Sequence, residues 1–140
     1  LVGVDEYGYV NDGQKKGNAG SFTSYGSTWT TGDIISIAYN ATLGAVWFGK
    51  NGTWQNSATD AQIAAGTTTY AAFTGLSGTF FMGCCDAATP TGDTFSTNFG
   101  NGYFGTTAVS SAGTNASAIG IFEYDVPAGF TALSTKGLNL

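Results

Sequence analysis

Short runs of aromatic and β-branched residues recur along the chain, and glycine, asparagine and aspartate separate them. No long stretch has the 3.6-residue hydrophobic period of an amphipathic helix. Short strand-like runs between turn residues are typical of sandwiches and barrels. The pattern therefore predicts an all-β protein.

The clearest predicted hairpin lies in the first third of the chain. Residues 33–40 read Asp-Ile-Ile-Ser-Ile-Ala-Tyr-Asn, and we expect a strand whose successive side chains face opposite sides. Residues 41–44 are expected to turn, and residues 45–50, which read Ala-Val-Trp-Phe-Gly-Lys, to return as the partner strand. Asn51-Gly52 then supplies the pair that tight hairpin turns favour, because both residues tolerate positive φ.

Weaker patterns follow in the rest of the chain. Further strands are expected at residues 80–85, 94–99, 119–126 and 130–133. The glycine-rich residues 100–120 predict a long surface loop. One helix of about two turns is expected over residues 59–65, since Thr59 or Asp60 can cap its start and Gly66 can end it.

The composition supports a folded core beneath an uncharged polar surface. Apolar residues make up 42% of the 140 residues, and ten Phe, seven Tyr and three Trp are among them. This is enough for the core of one domain without disulfides. Charged residues make up only 9%, so serine, threonine, asparagine and glycine must cover the surface. Such a surface suits protein contacts or sugar recognition.

The charge balance excludes two classes of partner. Four lysines against nine acidic residues give a net charge of −5, and only Lys15 and Lys16 are adjacent cations. Nucleic acid binding needs clustered cations, so we expect neither nucleic acid nor an anionic membrane surface as a partner.

No apolar run approaches the roughly 20 residues of a spanning helix. The sequence opens at Leu1 in a strand-like run without a signal peptide, which suggests a processed or partial chain.

Residues for common enzyme chemistry are scarce. The absence of histidine excludes histidine-based triads. Cys84 and Cys85 are neighbours whose side chains would point apart on a strand, so we expect two buried residues and neither a disulfide nor a zinc site. Glu6 and Glu123 could hydrolyse glycans only if they faced each other across a cleft. Gly-x-Gly-x-x-Gly at residues 100–105 lacks the following helix of a dinucleotide site.

Calcium is the one metal that the polar N-terminal stretch leaves open. Asp5, Glu6, Asn11 and Asp12 offer the hard oxygen ligands that calcium takes, but their spacing does not match an EF-hand loop. Ordinary turn chemistry at Asn-Asp-Gly explains the same residues. We therefore expect neither a metal nor a cofactor.

Aromatic residues outside the predicted core are the candidate binding residues. We expect Trp29, Trp47 and Phe48 in the core, because they lie in the two segments, residues 29–37 and 46–52, that hold the clearest predicted hairpin. At strand ends or in loops, an aromatic side chain can stack on a sugar or anchor a protein contact. The candidates in such positions are Tyr7, Tyr9, Trp54 and Tyr70.

Three segments resemble the SPRY family. Residues 29–37 followed by residues 46–52 are similar to its central Gly-Asp-aliphatic strand and its aromatic strand ending in Asn-Gly. Asn98-Phe99-Gly100 with Phe104 resembles a later element, and residues 1–4 and 7–13 resemble the strand and loop before the signature. The resemblance covers residues 1–104. It implies a bent antiparallel β-sandwich, a concanavalin-like jelly roll, that binds proteins and has no catalytic residues or cofactor.

The end of the chain carries a second resemblance. Residues 122–133 are similar to the tail that closes SPRY proteins encoded by bacteriophages and prophages. The expected organisation is one domain over residues 1–140, with a family core to residue 104, a loop at 105–118 and closing strands at 119–140. The family's strands before Leu1 are missing from this sequence, so we expect a sandwich that lacks them unless another segment supplies them.

Together the two resemblances imply a non-catalytic virion protein. A tail fibre or a capsid decoration protein would be a homo-oligomer on an extracellular particle and would contact neighbouring virion subunits or a protein or glycan of the host surface. Two alternatives stay open, a cellular SPRY adaptor that binds a peptide and a carbohydrate-active enzyme that uses carboxylates.

Overall fold

The computed structural model describes residues 6–18, 20–85 and 92–133, and these residues form short antiparallel strands with very little helix. The strands are β1 (Tyr7–Tyr9), β2 (Gln14–Gly17), β3 (Thr23–Ser24), β4 (Ile35–Asn40), β5 (Ala45–Lys50), β6 (Thr53–Trp54), β7 (Tyr103–Phe104) and β8 (Thr107–Ala108). Helix α1 spans Asp60–Ala64, and a 3₁₀ turn spans Thr68–Tyr70. The prediction of an all-β protein is confirmed, whereas the sandwich and the jelly roll stay predictions.

The strands pair in three small antiparallel sheets, ordered β1-β2-β3, β4-β5-β6 and β7-β8. The chain divides into two compact units. The first comprises Leu1–Ser77 with Pro127–Phe130, and the second Gly78–Val126 with Thr131–Leu140. Each unit is described by itself, and the single domain expected from the sequence stays a prediction.

The β4–β5 hairpin is the best-formed part of the first unit. Its six residue pairs run from Ile35 opposite Lys50 to Asn40 opposite Ala45, and residues 41–44 turn between the strands as predicted. Gly44 closes this turn at φ +57°, and an added Cβ would collide with the backbone of Leu76. The turn therefore requires a residue without a side chain, for both conformation and space.

The predicted Asn51-Gly52 turn is confirmed, with φ values of 48° and 80°. The Asn51 side chain also ties the turn to the start of β4, because Oδ1 accepts from the Ile34 amide at 2.8 Å and Nδ2 donates to Asp33 Oδ1 at 2.6 Å. Lys50 Nζ lies 3.0 Å from Asp33 Oδ2. The Asp33 carboxylate accepts a further bond from the amide of Thr30, and these contacts lower the pKa of Asp33.

Strand β5 is buried on both faces. Trp47 on one face belongs to a cluster with Ala38, Ala45, Ala58, Ile63 and Ala71, and Phe130 packs edge-on against its ring at 6.3 Å. Val46 and Phe48 on the other face belong to a cluster with Tyr9, Tyr25 and Ala72, and Trp29 packs against it. The expected core positions of Trp47 and Phe48 are confirmed, and Trp29 is partly buried at the edge of the second cluster. Full burial of each large apolar side chain stabilises the fold by about 2 kcal/mol.

Helix α1 confirms the predicted helix and its cap. Thr59 is the N-cap, its hydroxyl accepting from the Gln62 amide at 3.3 Å while the Gln62 side chain accepts from the Thr59 amide at 2.9 Å. This reciprocal capping box defines the helix start. Ile63 is fully buried against the Trp47 cluster, and Gly66 follows the last turn at φ +69°.

The strand predictions in the second unit are wrong for the described residues. Residues 80–85, 94–99 and 131–133 lie in no strand, and neither does Phe130 of the first unit. Residues 119–126 make only isolated parallel bridges, Asn101 with Ile121 and Asn115 with Val126. The strand expected at residues 1–4 lies outside the described residues.

Polar side chains replace ladder hydrogen bonds in the second unit, which is the physical reason for this difference. Asn98 Nδ2 donates to the Ile121 carbonyl at 2.9 Å, and Asn98 Oδ1 accepts from the Gly100 amide at 2.7 Å. The side-chain Nδ2 of Asn115 donates to the carbonyls of Ile119 and Gly120 at 2.8 and 3.1 Å. Such side-chain bonds compete with strand pairing.

Two further expectations for the second unit need correction. The loop expected at 105–118 contains strand β8, which pairs with β7. Cys84 and Cys85 are exposed free thiols and not buried residues, since the segment that carries them joins no sheet and places neither side chain in a core.

Candidate binding groove

An open groove in the first unit is the candidate functional site. The loop after β3 forms one side, and β6 with the turn that follows it forms the other. Its volume is about 390 Å³, and its lining residues are Tyr25, Gly26, Ser27, Thr53, Trp54, Gln55, Asn56 and Ser57. The two sides come from loops on a packed scaffold, which is where binding sites are commonly found.

The buried side chain of Gln55 joins the two sides. Its Oε1 accepts from the Ser27 amide at 2.7 Å and lies 3.5 Å from the Tyr9 hydroxyl, while its Nε2 donates to the Thr53 carbonyl at 2.8 Å. The Tyr9 hydroxyl also donates to the Ser27 carbonyl. Gly26 permits this close approach, because an added Cβ would lie 2.6 Å from Gln55 Oε1. Because Gln55 is only 6% exposed, the bonds that hold the two sides of the groove together are shielded from water.

Trp54 supplies the aromatic surface of the groove. Its indole N–H donates to Asp60 Oδ1 at 2.8 Å, and the half-buried ring packs against the Trp47 cluster. Gly49 lies close to the ring, since a Cβ there would be 3.2 Å from Trp54 Cε3. These contacts fix the ring before any ligand arrives.

A tight turn forms the polar end of the groove. The Ala58 amide donates to the Gln55 carbonyl at 3.2 Å, and the two central residues, Asn56 and Ser57, have φ values of 55° and 60°. This is a type I′ pattern, in which glycine is the preferred second residue. Serine in the left-handed region costs about 1 kcal/mol relative to glycine. Both side chains are exposed.

The lining of the groove is electrically neutral. Its only titratable residue is Tyr25, and burial raises the pKa of the Tyr25 hydroxyl to about 12. That hydroxyl accepts a bond from the Phe48 amide at 3.2 Å. At physiological pH the groove therefore offers hydroxyls, amides and one indole, a set of groups that can bind and orient a ligand.

Of the four aromatic residues proposed from the sequence, Trp54 lines the groove and the others lie elsewhere. Tyr9 is buried at the core. Tyr7 is half-buried with its ring 5.1 Å from that of Phe73, and Tyr70 packs against the Trp47 cluster. Their roles in binding stay predictions.

Sequence reasoning missed the polar residues of the groove. The missed residues are Ser27, Thr53, Asn56 and Ser57. The pair Asn56-Ser57 between a tryptophan and a helix cap was a usable turn signal. Ser27 had no signal, because it meets this turn only through the fold.

The described residues contain no group of three or more histidine, cysteine or acidic side chains that could hold a metal ion. Of the calcium candidates, Asp12 accepts from the Gln14 amide at 3.0 Å, as expected for a turn residue, and Asp5 lies outside the described residues.

Glu123 accepts from the Ser110 amide at 2.7 Å and from its hydroxyl, and these bonds lower the pKa of Glu123. No helix in the described part of the chain has the length and apolar character to cross a membrane.

Apolar side chains are exposed across the second unit. A shallow groove of about 500 Å³ there is lined by Phe99, Ile119 and Leu133 together with polar residues. Side chains with high exposure include Phe81 at 92%, Ile121 at 50% and Leu133 at 56%. We call the exposed set the second-unit apolar surface; it comprises Phe81, Phe95, Phe99, Tyr103, Ile121 and Leu133.

Comparison of the chain with protein-family models, with curated proteins and with solved structures gives no match. The SPRY resemblance therefore stays a prediction from the sequence.

Proposed function

We propose that this chain is a non-catalytic binding module. The observation that carries the proposal is the neutral groove around Trp54, which the Gln55 bonds hold in place on a buried scaffold. Its lining has no acid or base that could transfer a proton near neutral pH, because the pKa of Tyr25 is about 12. Recognition without turnover is the chemistry that these groups support.

The proposed fold is a bent SPRY-type β-sandwich. Support comes from the packing of Tyr9 and Tyr25 on Phe48, with ring centroids 5.6 and 6.2 Å apart, which brings the β1-β2-β3 sheet against strand β5. The proposed setting is a bacteriophage virion, as part of a tail fibre or a capsid decoration. This setting rests on the resemblance of residues 122–133 and on the polar surface with few charges.

We also propose that the protein assembles with copies of itself through the second-unit apolar surface. Ile119 and Ala132 are the buried hydrophobic residues found in the described part of this unit, whereas six large apolar side chains are exposed. Phe99 and Leu133 line one groove of this unit, and a contiguous exposed apolar patch marks an interaction site. None of its six members is an acidic or basic residue, so two copies of the surface can meet without repulsion between charges.

Immunogold electron microscopy tests the virion setting. Antibodies raised against the purified chain are applied to particles released from the cells that encode it, and to particles from a deletion strain as the control. We expect gold label at a regular position on the particles. Label confined to the cytosol, with a short peptide captured by the free monomer, would refute the virion setting and support a cellular adaptor.

A further inference from the structure

We propose that the groove around Trp54 binds a neutral carbohydrate. Trp54 is the stacking surface, and Asn56 and Ser57 are the hydrogen-bonding groups. This inference rests on the proposed function as a binding module and names the ligand class of the same site.

The charge of the site favours a neutral ligand. The eight lining residues include no lysine, aspartate or glutamate. The nearest anion in the bonding network is Asp60, which accepts the Trp54 indole N–H. An anionic ligand would find no cation in the groove and would lie near this carboxylate in a chain of net charge −5. Phosphates, sulfates and acidic sugars therefore fit poorly.

Trp54 provides the flat apolar surface that a sugar ring needs. Because its N–H is already bonded to Asp60, the part of the side chain that remains for a ligand is the carbon framework of the ring. Aromatic rings present a negative face, which attracts the C–H groups on one side of a pyranose. The ring is held by the packing near Gly49, so little side-chain entropy is lost when a ligand binds.

The polar end of the groove can bind the hydroxyls of the same sugar. The Asn56 amide and the Ser57 hydroxyl are exposed and have no protein partner among the described residues. Each can both donate and accept hydrogen bonds, as sugar hydroxyls do. Ser57 occupies a backbone position at which glycine would be relaxed, and a hydroxyl that contacts the ligand gives this strained serine a role.

The peptide alternative fits the groove less well. A peptide bound in extended form gains most of its affinity from main-chain bonds to a free strand edge. Strand β6 is the edge of its sheet but is only two residues long, and its Thr53 carbonyl already accepts a bond from Gln55 Nε2. Little main chain is therefore left for a peptide, whereas the side chains of the turn, with Trp54, offer bonding groups. The observations therefore favour the sugar.

The test measures binding of the purified 140-residue chain to immobilised cellohexaose, maltohexaose, chitohexaose and mannohexaose. A heparin hexasaccharide and an alginate hexasaccharide serve as acidic comparisons. We expect at least one neutral sugar to bind and the acidic ones not to bind. Trp54→Ala should weaken that binding at least tenfold, as loss of an aromatic anchor typically does, and Trp54→Phe should restore part of it.

Ser57→Gly separates binding from folding. It should raise the urea midpoint of unfolding, because glycine relaxes the turn, and weaken sugar binding about fivefold through the lost hydrogen bond. Ala118→Gly is the matched control, since Ala118 in the second unit also has a positive φ, of 54°. It should stabilise the protein and leave sugar binding unchanged.

Four results would overturn the inference: no binding of any of the four neutral sugars, binding of the acidic sugars alone, binding that survives Trp54→Ala, or selection of a peptide by this groove from a random display library. The particle-labelling experiment is independent of all four. A virion location with no sugar binding would refute the ligand class and leave the proposed virion module standing.

Discussion

Replacing Gln55 with leucine should destabilise the first unit by about 2 kcal/mol. Leucine keeps most of the volume of the side chain, so the loss comes from hydrogen bonds and not from a cavity. The Ser27 amide and the Thr53 carbonyl each lose a partner, at 2.7 and 2.8 Å in the native protein. A typical net hydrogen bond contributes about 1 kcal/mol. Since Ser27 and Thr53 are exposed residues, water can solvate the freed amide and carbonyl. The loss in free energy of unfolding therefore stays near the contribution of the two lost hydrogen bonds.

Tryptophan fluorescence during urea unfolding measures this effect in the correct unit. All three tryptophans lie in the first unit, so the signal follows its unfolding. For a slope of about 1–2 kcal/mol per molar urea, the midpoint should fall by about 1–2 M. Gln14→Leu is the control, because Gln14 lies half-buried on β2 and makes none of the groove bonds. It should change stability by less than about 0.5 kcal/mol.

The result that would refute this reasoning is a Gln55→Leu protein within about 0.5 kcal/mol of the wild type. The two sides of the groove would then be held by something other than the Gln55 side chain. Equal losses for Gln14→Leu and Gln55→Leu would also refute it, since apolar replacement itself, and not the bonding network, would then account for the effect.

Two further predictions concern other parts of the chain. The pKa of Asp33 is lowered by bonds to Thr30 and Asn51 and by Lys50. The stabilising contribution of this carboxylate is therefore present above the unfolded pKa of about 3.9 and is lost as the pH falls through the lower folded pKa. Acid unfolding followed by fluorescence should be less steep for Asp33→Asn, and an unchanged profile would contradict this. Ile121→Ser should shift the sedimentation velocity profile toward the monomer while Ile37→Ser, a similarly exposed residue of the first unit, should not; equal shifts would contradict assembly through the second-unit apolar surface.

The first unit was predictable where its structure depends on local sequence. The β4–β5 hairpin follows from alternating side chains and an Asn51-Gly52 turn, and helix α1 follows from a cap and a stop signal within eight residues. The burial of β5 on both faces was not predicted, although the uninterrupted apolar run at residues 45–48 was a usable signal for it.

The second unit and the groove were less predictable for a common reason. β-branched and aromatic residues near Ile121 favour a strand, but the side chain of Asn98, distant in sequence, bonds its carbonyl instead. In the groove, Ser27 meets Gln55 across 28 positions of sequence. Partnerships of this kind depend on tertiary structure, so no local pattern indicates them.

The two-faced burial of strand β5 has a consequence for how the module can diversify. Because both hydrophobic clusters depend on this one strand, substitutions within it would disturb the whole unit, and few would be tolerated. Asn56 and Ser57 lie outside it, with exposed side chains. The ligand specificity of the groove can therefore change through substitutions at these two turn residues while strand β5 and its two clusters stay constant.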